Sequence, residues 1–97
     1  MARRFDPDEL RSQLATLPHW RHDVERDAIS RRFVFAGFAQ AFAFMTRLAP
    51  EAERLGHHPE WFNVYDRVDI VLTTHDAGGL TPLDIELARC ADEAYKC

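Results

Sequence analysis

The sequence predicts an α+β fold, a two-layer sandwich in which a single four-stranded antiparallel sheet carries its helices on one face. Three observations support this prediction. The apolar residues follow the order helix, two strands, helix, two strands, helix. Each strand pair is close enough in sequence to be joined by a tight turn. The chain of 97 residues also suits one domain, spanning residues 1–97.

Residues 6–17 form the first predicted helix, with Asp6 as its N-cap and Pro7 at its first position. Its apolar side chains are at helical spacing: Leu10, Leu14 and Leu17. Residues 20–35 then alternate in character, which predicts two antiparallel strands with a turn near Arg26.

The long helix, residues 37–55, has two apolar stripes. The stripe expected to face the core comprises Phe38, Phe42, Met45, Ala49, Ala52 and Leu55. The second stripe, Ala41, Phe44 and Leu48, fits either a wide core face or a subunit interface. Pro50 lacks an amide donor and predicts a kink or a break.

Residues 61–74 predict the second strand pair, with a turn around Asp66. The expected buried sheet face comprises Phe62, Val64, Val68, Ile70 and Leu72. Thr81, Pro82 and Asp84 then form a capping-box signal for the last helix. The residues expected to face inward on that helix are Leu83, Leu87, Ala88, Ala91 and Tyr95.

Composition disfavours several classes of partner. The 12 Lys and Arg residues are scattered and outnumbered by 16 Asp and Glu, so a nucleic-acid surface is not expected. No apolar run reaches the length of a membrane span, and a cytoplasmic location is expected. Cys90 and Cys97 lack the pattern of a disulfide framework and are expected to be free thiols.

Three histidines carry the strongest chemical signal. His57 and His58 lie just before the third strand, and His75 follows the fourth. In an antiparallel hairpin these positions are neighbours, so the three imidazoles are expected to share one cleft. An imidazole both gives and takes a proton near neutral pH, which suits general acid and base chemistry.

Other interpretations of these residues remain open. Single histidines at helix ends are often caps, and three histidines can also bind Zn²⁺. However, adjacent histidines point in different directions and no i, i+4 histidine spacing is present, so no metal site is predicted. Glu53 lies one helical turn before His57 and is expected to orient its ring. Helix capping suffices to explain Asp84, whereas Trp61 fits either the core or a stacking contact with a flat ligand.

Residues 52–65 (AERLGHHPEWFNVY), 73–76 (TTHD) and 79–81 (GLT) with Asp84 resemble the pterin-4a-carbinolamine dehydratase family. The likeness extends upstream through residues 26–29 (RDAI) and 42–47 (FAFMTR). It implies dehydration of a 4a-hydroxytetrahydropterin to the quinonoid dihydropterin, without a cofactor. It also implies that His57 and His75 act as acid and base while His58 mainly holds the pterin.

The resemblance implies a substrate pocket as well. Thr73, Thr74 and Asp76 are expected to line it and Trp61 to form a wall, with Glu53 and Asp84 as further binding residues. Gly56 stands where vertebrate members commonly have an aspartate, so one polar contact to the substrate is expected to be missing.

Assembly and an alternative function follow from the same resemblance. Family members form dimers through their sheets and tetramers through the long helix, so a homodimer is expected here, with a homotetramer weakened by Pro50. The alternative to an enzyme is a non-catalytic, protein-binding module on the same fold, like the transcriptional coactivators among the animal members. The intact set of His57, His58 and His75 favours the enzyme, since a binding module would not need it.

Overall fold

The computed structural model describes residues 3–96, and its elements follow the predicted order. They are α1 (Pro7–Leu14), β1 (Arg21–Asp23), β2 (Ala28–Val34), α2 (Phe38–Leu55), β3 (Glu60–Val64), β4 (Arg67–Leu72) and α3 (Pro82–Tyr95), with a short 3₁₀ turn (His75–Ala77) before α3. Cys90 is a free thiol. The same prediction for Cys97 falls outside the described residues.

The four strands form one antiparallel sheet in the order β1-β2-β4-β3. The two central strands therefore belong to different hairpins, and β1 and β3 are the edges. Glu60, the first residue of β3, pairs with Val71 near the end of β4. This register places the start of one strand beside the end of its partner. The predicted α+β class is confirmed.

Local signals determine where the helices begin and end. Asp6 accepts a hydrogen bond from the Glu9 amide, and the Glu9 side chain accepts one from the Asp6 amide, which is the predicted start of α1. α1 ends at Leu14, earlier than predicted, although Leu17 is still buried. Gly56 ends α2 with a left-handed φ of 60°, a conformation that glycine adopts without strain.

The predicted buried face of β3 is wrong. Trp61 pairs with Ile70 and Asn63 pairs with Val68, and directly opposed residues share a face of the sheet. Trp61 and Asn63 therefore point toward the core. Phe62 and Val64 lie on the other face, where they are 58% and 45% exposed.

The second stripe of α2 lies in the core, which confirms the wide core face among the two alternatives. The stripe predicted to face the core does so only in part: Ala52 is buried and Met45 and Leu55 pack partly buried against the core, whereas Phe38, Phe42 and Ala49 are exposed. Ala41, Phe44, Leu48 and Ala52 are buried, and the Phe44 ring lies 4.8 Å from that of Phe33. An interface role for Ala41, Phe44 and Leu48 is therefore wrong, because a single chain already buries them completely. The large apolar side chains of α2 that stay exposed are those of Phe38 and Phe42, at 52% and 53%.

Pro50 does not break α2, which runs continuously from Phe38 to Leu55. A proline amide cannot donate to the carbonyl four residues earlier, here that of Thr46. Both residues are exposed, so water can hydrate that carbonyl. Within residues 3–96, no helix is long and apolar enough to span a bilayer.

Asp27 links the β1–β2 turn to the segment before α3. It has a positive φ of 48°, and its Oδ2 accepts a hydrogen bond from the Leu80 amide at 3.1 Å. Its Oδ1 lies 2.9 Å from His22 Nε2, and its carbonyl accepts a bond from Thr73 Oγ1 at 3.0 Å. A Cβ on Gly79 would stand 2.2 Å from Asp27 Oδ2, so this approach requires glycine.

Candidate active site

His57 is the first residue after the C-cap of α2, and its side chain turns into the protein. Its amide donates to the Ala52 carbonyl, and its Nε2 lies 2.5 Å from Asp84 Oδ1. The side chains of His57 and Asp84 are 10% and 0% exposed. A carboxylate only accepts hydrogen bonds, so the ring donates its Nε2–H to Asp84.

Asp84 has two functions at once. Its Oδ2 accepts the Thr81 amide at 2.9 Å, which completes the predicted capping box of α3. The same oxygen accepts the Thr74 hydroxyl at 2.8 Å. Since Thr74 donates its single hydroxyl proton there, the Thr81 hydroxyl must donate to Thr74 across their 2.9 Å contact. His57, Thr74, Thr81 and Asp84 thus form one hydrogen-bonded group, the buried network.

The Glu53 prediction needs a correction. Glu53 Oε1 lies 2.6 Å from His58 Nε2, and its partner is therefore His58 rather than His57. Both side chains are mostly exposed, at 77% for Glu53 and 66% for His58. One turn of helix places Glu53 near the chain leaving α2, but His57 rotates inward toward Asp84 and leaves His58 on the surface.

A small cavity of about 200 Å³ adjoins His58. Its walls include Glu53, Pro59 and Trp61. Trp61 is partly buried against the hydrophobic core, as the core interpretation predicts, and it also borders this cavity. Its stacking contact with a flat ligand stays a prediction. A larger concavity of about 610 Å³ lies beside β1, β2 and β4 and contains none of the predicted site residues.

His75 begins the 3₁₀ turn that follows β4, and its ring is 76% exposed. Its Nε2 lies 3.3 Å from Oε2 of Glu60, the first residue of β3. Arg26 Nη2 donates to that same oxygen at 2.9 Å. The hydrogen bond from Arg26 lowers the pKa of Glu60 more than partial burial raises it, with a smaller contribution from His75.

The remaining predicted residues surround these pairs. Thr73 donates to the Asp27 carbonyl, and Asp76 is exposed directly after His75. At Gly56, nothing lies within 4 Å of a built Cβ, so the space that an aspartate would occupy is open, although its φ of 60° would strain such a residue.

Each predicted histidine therefore contacts a different carboxylate through Nε2, and all lie where α2 leads into β3 and β4 leads into α3. The common cleft stays a prediction. Among residues 3–96, no three His, Cys, Asp or Glu side chains lie close enough to hold one metal ion.

Sequence reasoning missed the roles of Arg26, Glu60 and Thr81. Glu60 follows His58 by two residues, but only the strand register shows that it reaches His75. Arg26 lies 34 residues before Glu60, and no local pattern links them. The capping signal did identify Thr81, but not its hydroxyl contact with Thr74.

The fold and the site define a small α+β protein with histidine–carboxylate pairs gathered at one end of its sheet, an arrangement suited to proton transfer. The family model for pterin 4 alpha carbinolamine dehydratase matches residues 3–94. The chain belongs to this family.

Relatives and solved structures agree with this assignment. A relative from Burkholderia orbicola, named provisionally as a pterin-4-alpha-carbinolamine dehydratase, is 56% identical over 94 residues, covering 97% of this chain and 92% of the relative. A transcriptional coactivator/pterin dehydratase from Brucella melitensis has a TM-score of 0.89 at 45% identity, covering 94% of this chain and 97% of that chain. A pterin dehydratase-like RuBisCO assembly factor of the alpha-carboxysome has a TM-score of 0.67 at 27% identity, covering 78% and 88%.

Proposed function

We propose that this protein dehydrates a 4a-hydroxytetrahydropterin to the quinonoid dihydropterin and water. Family membership supports the substrate class. The observation that carries the proposal for this chain is the buried network, because a histidine held by a fully buried carboxylate is costly to build and suits proton transfer. A protein that only bound partners would need Asp84 to cap α3 but would have no need of its contact with His57.

In the proposed reaction, a protonated imidazole gives its proton to the 4a-hydroxyl oxygen, and the C4a–O bond breaks as water leaves. A neutral imidazole takes the proton from the neighbouring ring nitrogen, whose N–H electrons form the new C=N bond. We assign these roles to His57 and His75, with His58 holding the pterin. Each ring directs Nε2 to its carboxylate, so Nδ1 is the nitrogen left for the substrate.

The other predicted residues have narrower proposed roles. Thr73, Asp76 and Trp61 border the substrate. Glu53 orients His58 through their 2.6 Å contact. Thr74 and Asp84 act on His57 through the buried network, because Asp84 is fully buried and Thr74 is partly buried with its hydroxyl bonded to Asp84.

The direct test is the decay of 4a-hydroxytetrahydropterin, followed with and without the protein. We expect faster decay with the wild type and a fall in turnover of about 10²-fold or more in His57→Ala and His75→Ala. His19→Ala, at an exposed position outside the three pairs, is the control and should retain full activity. Circular dichroism should be unchanged in all three variants. Equal activity of both site variants and the control would contradict the mechanism.

The same assay after treatment with a chelator tests the prediction that the reaction needs no metal or other cofactor. Activity should be the same before and after treatment with EDTA. Activity that is lost with EDTA and restored by Zn²⁺ would instead support metal-assisted chemistry at the histidines.

A second candidate function is that of a protein-binding module. The exposed rings of Phe38 and Phe42 on α2 favour it, since a lone chain leaves both in water. A folded wild-type protein that does not accelerate pterin dehydration would favour this alternative.

We also propose that the chain forms a homodimer through its sheet and a weaker tetramer through α2. The free edge of β3 and the exposed rings of Phe38 and Phe42 are the surfaces available for these contacts. Light scattering at micromolar concentration should give at least twice the 11.2 kDa chain mass. A clean monomer would contradict this proposal. A cytoplasmic location and the lack of a nucleic-acid partner stay predictions.

A further inference from the structure

Three segments distant in sequence meet at His75. Arg26 lies in the β1–β2 turn, Glu60 begins β3, and His75 follows β4. Both Arg26 Nη2 and His75 Nε2 approach one oxygen, Oε2 of Glu60, at 2.9 and 3.3 Å. The start of β3 is adjacent to the end of β4 in the sheet register, so the backbone brings Glu60 to His75.

This pair differs from the other two histidine–carboxylate pairs. Asp84 is held by the buried network, and within residues 3–96 the carboxylate of Glu53 pairs with His58 alone. Of the three carboxylates, and within residues 3–96, only Glu60 also pairs with an arginine. An arginine keeps its charge at all ordinary pH values, so the ion pair persists wherever Glu60 is ionised.

The shared arginine has two physical effects. It keeps Glu60 ionised, because the hydrogen bond and the charge of Arg26 hold the pKa of Glu60 below its usual value of 4.5. An ionised carboxylate 3.3 Å from Nε2 favours a proton on that nitrogen of His75, which leaves Nδ1 free. Arg26 also fixes the position of the Glu60 carboxylate beside His75 through its 2.9 Å hydrogen bond.

We propose that Arg26 and Glu60 are positioning residues for His75, with Glu60 fixing the ring through Nε2 and Arg26 fixing Glu60. This inference rests on the proposed dehydratase function. Neither residue need touch the pterin, and both act through His75.

The first test compares steady-state kinetics of full-length variants with 4a-hydroxytetrahydropterin. Glu60→Gln should lower kcat about tenfold and change KM less than about twofold, because it misplaces a reacting group without removing a substrate contact. Glu51→Gln is the matched control, because Glu51 also pairs with an arginine, Arg54, at 2.8 Å but touches no histidine. It should leave kcat unchanged.

The second test uses a double-mutant cycle. In a His75→Ala background, Glu60→Gln should lower kcat no further, since its effect passes through the missing ring. Arg26→Ala should lower kcat several-fold, with partial recovery in Arg26→Lys, which restores the charge but not the planar guanidinium. An equal loss from Glu60→Gln with and without His75 would overturn the positioning role.

A third measurement separates this inference from the proposed function. The ¹H and ¹⁵N shifts of the His75 ring should change in Glu60→Gln and Arg26→Ala but not in Glu51→Gln. Active wild-type protein with unchanged ring shifts would overturn the inference and leave the dehydratase proposal intact. An inactive wild type would overturn the dehydratase proposal, and with it the positioning of His75 for that reaction.

Discussion

Replacing Asp84 with asparagine tests the buried network while leaving its shape intact. Oδ2 of Asp84 accepts two donors, Thr74 Oγ1 and the Thr81 amide, whereas Oδ1 accepts only His57 Nε2. An asparagine therefore keeps its oxygen toward the two threonines and turns its NH₂ group toward His57. Facing a donor, the His57 ring must accept at Nε2 and carry its proton on Nδ1.

Typical strengths of hydrogen bonds and of general acid–base catalysis, applied to the contacts of Asp84, give the size of both effects. One charge-assisted hydrogen bond, worth about 1.5–3 kcal/mol, becomes a neutral one worth about 0.5–1.5 kcal/mol, so the free energy of unfolding should fall by about 1–1.5 kcal/mol. The proton of His57 moves to the nitrogen assigned to the substrate, so turnover should fall by about 10²-fold or more.

Urea unfolding and the pterin decay assay together measure these effects. Glu9→Gln is the matched control, because Glu9 holds the same capping-box position in α1, where its Oε1 accepts the Asp6 amide at 3.0 Å, and it has no histidine partner among its contacts. It should cost little stability and no activity. If Asp84→Asn loses stability as expected but retains wild-type turnover, the orientation of His57 does not matter to the reaction and the reasoning fails.

Three further predictions concern the fold. Burial acts to raise the pKa of Asp27, but hydrogen bonds from His22 and the Leu80 amide outweigh it, so the folded pKa lies below 3.8. The carboxylate therefore stabilises the fold above about pH 4, and this contribution is lost as pH falls through the folded pKa. In Asp27→Asn, acid titration of urea stability should show a smaller drop in this range, and an unchanged drop would refute the assignment. Gly79→Ala should cost about 1–3 kcal/mol in urea unfolding, because its Cβ meets Asp27 Oδ2, whereas wild-type stability would show that the loop relaxes. Phe44→Glu should unfold the chain, whereas Phe42→Glu should leave it folded and change only its assembly by light scattering; a folded Phe44→Glu would contradict the core assignment.

The order and class of the elements could be predicted because their signals are local. Asp6 and Thr81 mark the starts of two helices within a few residues of sequence, and the structure confirms both caps. It was harder to predict which face of each strand points toward the core. Alternation in β3 shows that Trp61 and Phe62 point in opposite directions, but only pairing with β4 shows which one is inside.

The candidate site also has a part that could be predicted from local sequence and a part that could not. The histidines lie beside one another in sequence or at strand ends, so their importance could be predicted from spacing and resemblance. Their partners depend on contacts across the chain, such as Arg26 with Glu60 and Asp84 with His57, which lie 34 and 27 residues apart. The predicted contact of Glu53 with His57 was wrong because of side-chain orientation. Glu53 is near both His57 and His58 in sequence but bonds only His58.

The three histidines differ in exposure, and this affects how their starting protonation states are restored after each turnover. The side chains of His58 and His75 are 66% and 76% exposed, whereas that of His57 is 10% exposed. In the proposed reaction, the acid has lost a proton and the base has gained one when the product forms. His75 can exchange its proton directly with bulk water and buffer. His57 is largely shielded from bulk water, so restoration of its starting state depends on the substrate side of the ring or on a transient opening of the buried network.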